Sequence, residues 1–132
     1  MRLLRGGFFA LVVTGLLVAA AALPTEAAPR QPPPSRAFDG LWSVSIYTTD
    51  GPCAPSYRYP ARILGGHVLA DQADFSYQIA GVVIASGGIA VRISGGGQSA
   101  VGYGRLSRAQ GGGWWKADGG QCSGTWRAVR RG

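Results

Sequence analysis

The stretch GIAVRISGGGQSAVGYGRL, residues 88–106, carries the pattern that decides the fold. Ile89, Val91 and Ile93 alternate with small or polar residues, and a period of two is typical of half-buried β-strands. The glycine triplet at 95–97 supplies the positive φ angles that a tight hairpin turn requires. This stretch therefore predicts two antiparallel strands joined by a short turn.

The same alternation recurs from Gly40 to the end of the chain, and no window after Pro34 has helical periodicity. Glycine pairs and triplets, including 111–113, separate the runs as predicted turns, while Gly102 and Gly104 are expected to let a strand bend or pack closely. Short connections favour pairing between sequence neighbours. We therefore predict an all-β fold, an antiparallel up-and-down meander that forms a closed or nearly closed small barrel. Its eight short strands are expected at about 41–48, 57–64, 67–70, 75–83, 88–94, 98–106, 113–117 and 122–129.

Cys53 and Cys122 are the only cysteines in the chain, and an even number in an exported protein predicts a disulfide. The alternatives are a metal site and a reactive thiol, but zinc takes four ligands and His67 is the only histidine. In an even-numbered meander that closes, the end of the first strand lies beside the start of the last. Cys53 follows the first predicted strand and Cys122 opens the eighth, so the disulfide and the closed barrel support each other.

The N-terminus has the features of a secretory signal. Arg2 and Arg5 precede an uncharged run at 8–23, and small residues follow it. We expect residues 1–27 to be a signal peptide cleaved after Ala27; the alternative is a membrane anchor, which would need about 20 apolar residues. Residues 28–37 contain four prolines and are expected to be a flexible segment before a single barrel domain at 38–132.

The expected location is therefore the periplasm or the extracellular space. The mature form is not expected to span a membrane, because most predicted strands are shorter than the roughly 9–11 residues of an outer-membrane strand.

The sequence gives little support for catalysis. No Gly-x-Ser-x-Gly motif is present, and His67 has no cysteine nucleophile to act with once the disulfide forms. Asp39, Asp50 and Asp118 each precede a glycine, which is typical of turns. We expect a protein that is not an enzyme and that uses no metal and no cofactor. A triad assembled in space and a paired-carboxylate glycosidase stay open as alternatives.

The chain has 13 basic and 6 acidic residues and a formal net charge of +7, which favours anionic partners. For an exported protein, an anionic envelope polymer is a more available partner than nucleic acid, so no nucleic acid is expected. The alternative is that the positive charge serves only to keep the protein soluble. Trp114 and Trp115 are adjacent in a strand and must face opposite sides. The candidate ligand or partner contacts are Trp42, Tyr57, Arg58, Tyr59, Arg62, Trp114, Trp115, Lys116 and Arg127.

Three short motifs carry a resemblance to a known group of proteins: FDGLW at 38–42, YRYP at 57–60 and CSGTW at 122–126. This layout resembles small glycine-rich exported proteins of alphaproteobacteria such as rhizobia, a resemblance that covers most of the mature domain and implies no particular activity. More distantly, Gly40-x-Trp42 is similar to the calycin barrels, the lipocalins and avidins. That likeness implies an arginine of the last strand packed on Trp42, with Arg127 or Arg130 in this role.

Two families of periplasmic inhibitors are also similar, since both are small barrels with one disulfide. Ser94-Gly95 followed by Trp114-Trp115-Lys116 is loosely similar to lysozyme inhibitors, whereas metalloprotease inhibitors use a flexible N-terminal segment, here 28–37. The sequence thus leaves three interpretations: a binding module for a small ligand or an anionic envelope polymer, an inhibitor of an envelope hydrolase (a lysozyme or secreted protease), and a structural envelope protein. An open cavity lined by Trp42, Tyr57, Tyr59 and Tyr77 would favour the first, and a filled barrel would favour the other two.

Overall fold

The computed structural model describes residues 12–23, 30–71 and 76–132. Within them, every strand pairs antiparallel with its neighbours in sequence, and the first strand also pairs with the last, which closes a barrel. The predicted all-β, eight-stranded closed meander is confirmed. The strands are β1 Gly40–Asp50, β2 Ser56–Leu64, β3 His67–Ala70, β4 Gln78–Val83, β5 Gly88–Gly95, β6 Gln98–Leu106, β7 Gln110–Ala117 and β8 Ser123–Arg130, preceded by a short 3₁₀-helix at Arg36–Phe38.

The predicted strand bounds differ from the structure mainly at β4 and β7. β4 begins at Gln78, so Tyr77 precedes it, and Phe75 lies outside the described residues. The prediction that 111–113 forms a turn was wrong, because these glycines pair with β6 inside β7. A Cβ on Gly113 would lie 1.9 Å from the carbonyl oxygen of Tyr103, so only glycine allows the strands to approach there.

The turn between β6 and β7 is formed by residues 107–109 instead. The backbone N–H and the hydroxyl of Ser107 both donate to the carbonyl of Gln110, at 2.7 and 2.8 Å. The Ser107 hydroxyl in turn accepts from the Gln110 N–H at 3.3 Å. One serine side chain thus holds the turn that the glycine triplet was expected to make.

Residues 34–38 close one end of the barrel. Ser35 N–H donates to the Val83 carbonyl at 2.7 Å, and Phe38 of this segment is buried, as is Trp42 of the first strand. The Trp42 indole N–H donates to the carbonyl of Phe38 at 2.9 Å, so the 3₁₀-helix is fixed to the first strand. We call this the closed end; the turns after β1, β5 and β7 lie at the other end, which we call the open end.

Arg130 lies on Trp42 at the closed end. Its guanidinium carbon is 5.8 Å from the centre of a Trp42 ring, a cation–π distance. The same guanidinium donates to the carbonyl oxygens of Arg108, at 3.1 Å, and of Asp39. Of the two arginines considered from the sequence, Arg130 therefore contacts Trp42, whereas Arg127 faces outward from the barrel. The resemblance to calycin barrels stays a prediction.

A disulfide joins Cys53 and Cys122, with 6.1 Å between their Cα atoms, as the parity of the strands predicts. It connects the loop after β1 to the residue before β8, so it lies at the seam where the barrel closes. Disulfides persist in oxidising compartments, and this one indicates such a location.

Residues 12–23 carry no regular secondary structure, and the predicted cleavage site at Ala27 lies outside the described residues. Among the residues that the structure describes, no helix has the length and apolar character needed to cross a bilayer.

Candidate ligand cavity and outer wall

The interior of the barrel contains a cavity of about 750 Å³ that reaches the open end. Trp42 forms its floor, and Tyr57, Tyr59 and Tyr77 line it together with aliphatic side chains. Cavities of about 300–1,000 Å³ are typical of sites for small organic ligands, and an eight-stranded barrel is wide enough either to be filled or to hold one such molecule. The volume therefore matches a small ligand.

Small inward residues on β6 and β7 leave room for the cavity. Ala100 and Gly102 point inward from β6, and Ala117 points inward from β7. β2, on the opposite side of the eight-stranded ring, contributes Tyr57 and Tyr59. A Cβ on Gly102 would make only ordinary van der Waals contacts, at 3.7 Å or more, so a small side chain would fit here without a clash.

Three tryptophans line the cavity, and each indole N–H is bonded to a backbone carbonyl. Besides Trp42, Trp115 donates to Tyr47 at 3.0 Å and Trp126 donates to Tyr103 at 3.1 Å. These bonds fix the ring orientations and use the polar atom of each indole. The tryptophans therefore offer apolar ring surface to the cavity.

Apart from the buried phenol of Tyr59, polar side chains line the cavity at its open end. No Asp, Glu, Lys, Arg or His side chain is among the described residues that line it. The other neutral polar side chains of the lining lie at or next to the open end: Thr48, Tyr57, Tyr77, Gln98, Ser99 and Gln121. A buried charge without a partner is costly, so this lining favours an uncharged molecule with its polar end toward solvent.

The two inward tyrosines of β2 lie against each other, with ring centres 5.6 Å apart. Burial raises the pKa of the Tyr59 phenol far above its ordinary value of 10.0, and the neighbouring Tyr57 adds to the shift. Burial, and then the proximity of Tyr77, also raise the pKa of Tyr57. Both phenols therefore stay neutral throughout the pH range in which the barrel is expected to work.

The raised Tyr59 pKa predicts that the barrel loses stability in alkali. Below about pH 10 the phenol is neutral in both states, so its full contribution is present. Above that pH the unfolded chain releases the proton first, and the free energy of unfolding falls as pH rises. Denaturant unfolding measured between about pH 8 and 12 should show this fall, and Tyr59→Phe should flatten it. Equal slopes for the two proteins would contradict the assignment.

The structure separates the residues singled out from the sequence into an inner and an outer set. The inner set lines the cavity: Trp42, Tyr57, Tyr59 and Trp115. The outer set is exposed on the other side of the sheet: Arg58, Arg62, Trp114, Lys116 and Arg127. Trp114 and Trp115 therefore do face opposite sides, and the predicted contacts form two surfaces rather than one.

Several residues of these surfaces were not singled out from the sequence. Trp126 and Gln121 line the cavity, and Tyr103 lies on the outer wall with its ring 4.9 Å from that of Trp114. Trp126 continues the period-two pattern of the last strand, so alternation alone was sufficient to place it inside. The position of Tyr103 beside Trp114 depends on the register between β6 and β7, which no local sequence pattern specifies.

The described part of the chain has two ion pairs, and both lie outside the cavity. Arg62 contacts Asp71 at 3.0 Å on the outer wall, and Arg92 contacts Asp118 at 2.8 Å near the open end. Asp118 also accepts from the hydroxyl of Ser99. This hydroxyl, followed by Arg92, lowers the pKa of Asp118.

Among the residues described, no group of three or more His, Cys, Asp or Glu side chains is placed to hold a metal ion. Comparison of the chain with protein-family models, with curated proteins and with solved structures finds no match. The function therefore has to be argued from the geometry of the two surfaces.

Proposed function

We propose that this chain is an exported β-barrel module of the bacterial envelope, without catalytic activity, that binds a small, uncharged and largely apolar molecule inside the barrel. The observation that carries the proposal is the 750 Å³ cavity with Trp42 at its floor. Side chains that line an unfilled cavity lack dispersion contacts on one side. A bound ligand would recover those contacts.

The location supports this reading. The disulfide indicates an oxidising compartment, and the N-terminal run at 8–23 is typical of a secretory signal. Together they favour the periplasm or the extracellular space. The alternatives are an inhibitor of a lysozyme or secreted protease and a structural envelope protein; neither requires an open interior, so the cavity favours the binding module.

A matched pair of alanine substitutions tests the cavity. Ala100 points into the cavity, whereas Ala80 on β4 is exposed on the outer wall. We expect the uncharged dye Nile red to bind the oxidised protein with saturable fluorescence, and Ala100→Phe to weaken its affinity by about tenfold or more because the ring occupies the ligand's space.

The exposed variant Ala80→Phe adds the same ring outside the barrel and should bind Nile red as the original protein does. Fluorescence titrations of the three proteins, with near-ultraviolet circular dichroism as a check on folding, give the comparison. Absence of saturable binding, or equal losses in both variants, would contradict a site inside the barrel.

A further inference from the structure

The outer wall carries a row of exposed aromatic side chains. In the strand register, Tyr103 of β6 pairs with Trp114 of β7. Trp114 pairs with Thr125 of β8, and Thr125 pairs with Tyr47 of β1. The three aromatic residues are exposed: Tyr103 by 43%, Trp114 by 51% and Tyr47 by 40%. The row therefore crosses four adjacent strands, a span of about 14 Å at the usual strand spacing.

A second row, made of arginines, runs parallel to the first. Arg105 on β6 and Arg127 on β8 both pair with Gly112 of β7, which lies between them. On the other side of Arg127, Ser45 of β1 separates it from Arg58 of β2. The two rows are separated by two residues along the strands, a distance of about 6.6 Å. We call the two rows together the aromatic–arginine face: Tyr47, Tyr103, Trp114, Arg58, Arg105 and Arg127.

The arginines of this face have no carboxylate partner among the described residues. The ion pairs of the described chain use Arg62 and Arg92, neither of which belongs to the face. Within the part of the chain that the structure describes, the Arg58 side chain donates only to the Ser45 hydroxyl, at 3.3 Å. Only the small residues Ser45 and Gly112 stand between the arginines in this row. Three exposed cations in one line, without acidic neighbours in either row, make a surface complementary to a line of negative charges.

We propose that the aromatic–arginine face binds an acidic polysaccharide, a linear chain of sugars that carry carboxylate groups. The flat C–H faces of the sugars would pack on the aromatic row, since Tyr and Trp combine an apolar ring with a polar edge. The carboxylates would point toward the arginine row, because the planar guanidinium group matches a carboxylate with two parallel hydrogen bonds. The arginine row runs along one side of the aromatic row. This arrangement suits a polymer whose carboxylates lie along one side of its chain of sugar rings.

Single-stranded nucleic acid uses similar chemistry, but it is bound in positively charged grooves that track its backbone. The aromatic–arginine face lies instead on the outer surface of the barrel, in a protein whose disulfide indicates an oxidising compartment. These two observations favour the polysaccharide. The proposal does not depend on the cavity, because Trp114 faces away from it while Trp115 lines it.

The test measures binding of polygalacturonate to the oxidised protein by titration calorimetry at low and high salt. We expect Trp114→Ala to weaken the affinity by about tenfold, as loss of a central aromatic contact does. The double variant Arg105→Gln with Arg127→Gln should weaken it by about tenfold or more and reduce its dependence on salt.

The matched control is Arg36→Gln with Arg131→Gln, which removes the same charge from exposed positions at the closed end. It should stay within about twofold of the original affinity, since net charge alone is not the proposed cause. Nile red binding and thermal unfolding of each variant report the cavity and the fold separately.

Failure to bind polygalacturonate at low salt, or an equal loss in the control, would overturn the proposal. Tighter binding of oligodeoxythymidylate, or of vesicles of anionic lipid, would overturn it in favour of nucleic acid or a membrane surface. Binding that is lost in Trp114→Ala while Nile red still binds would support it.

Discussion

Reduction of the Cys53–Cys122 disulfide is expected to lower the free energy of unfolding by about 4 kcal/mol, the chain-entropy value for a closed loop of this length. The bond joins residues 69 positions apart, so it restricts most of the barrel domain in the unfolded state. Small domains have about 5–15 kcal/mol of total stability. The loss would therefore be a large share of the total stability of such a domain.

Urea unfolding of the oxidised and the reduced protein gives this difference directly. Cys53→Ala with Cys122→Ala is the matched variant, and its stability should equal that of the reduced protein apart from the packing of Cys122, which is 1% exposed. Added reductant should leave the variant unchanged. A difference of less than about 1 kcal/mol between the oxidised and reduced forms would show that the ring of hydrogen bonds closes the barrel without the cross-link.

Trp42→Ala is expected to lower the free energy of unfolding by about 3–5 kcal/mol, the cost of truncating a large buried aromatic side chain. Trp42 is 1% exposed and holds two elements together at the closed end. Its indole donates to Phe38 of the 3₁₀-helix, and its ring contacts the guanidinium of Arg130 from the last strand. The substitution removes the floor of the cavity as well as these contacts.

The same unfolding measurement on Trp114→Ala supplies the control, because Trp114 is 51% exposed and lies outside the core. Its loss should cost about 1 kcal/mol or less, as surface substitutions usually do. Nile red affinity should fall in Trp42→Ala and not in Trp114→Ala. Equal stability losses in the two variants would contradict the view that the closed end depends on Trp42.

The sequence predicts the barrel well because its pattern is local. Each strand of an antiparallel meander can be recognised from the alternation of apolar and polar residues within it. The closure follows from the number of strands and from the positions of Cys53 and Cys122. The misplaced turn at 111–113 has a physical cause: glycine suits both a positive φ angle and a close approach of two strands. Only the partner strand distinguishes the two uses.

The cavity and the outer rows depend on contacts between distant parts of the chain. Alternation places Tyr57 and Tyr59 inside, but the space in front of them depends on Ala100 and Gly102 of the opposite wall. In the same way, Tyr47 and Trp114 become neighbours in one row through the pairing of β7, β8 and β1. Register over these separations is set by the whole ring, so residue spacing alone did not reveal either surface.

The position of the disulfide at the closing seam has a consequence for aggregation. A closed ring leaves no long strand edge with unpaired backbone groups, and such edges are the usual template for association between sheets. β1 and β8 meet at the seam beside Cys53 and Cys122, so parting of these two strands would create two complementary edges at once. By holding these two edges together, the cross-link disfavours self-association between copies of the chain.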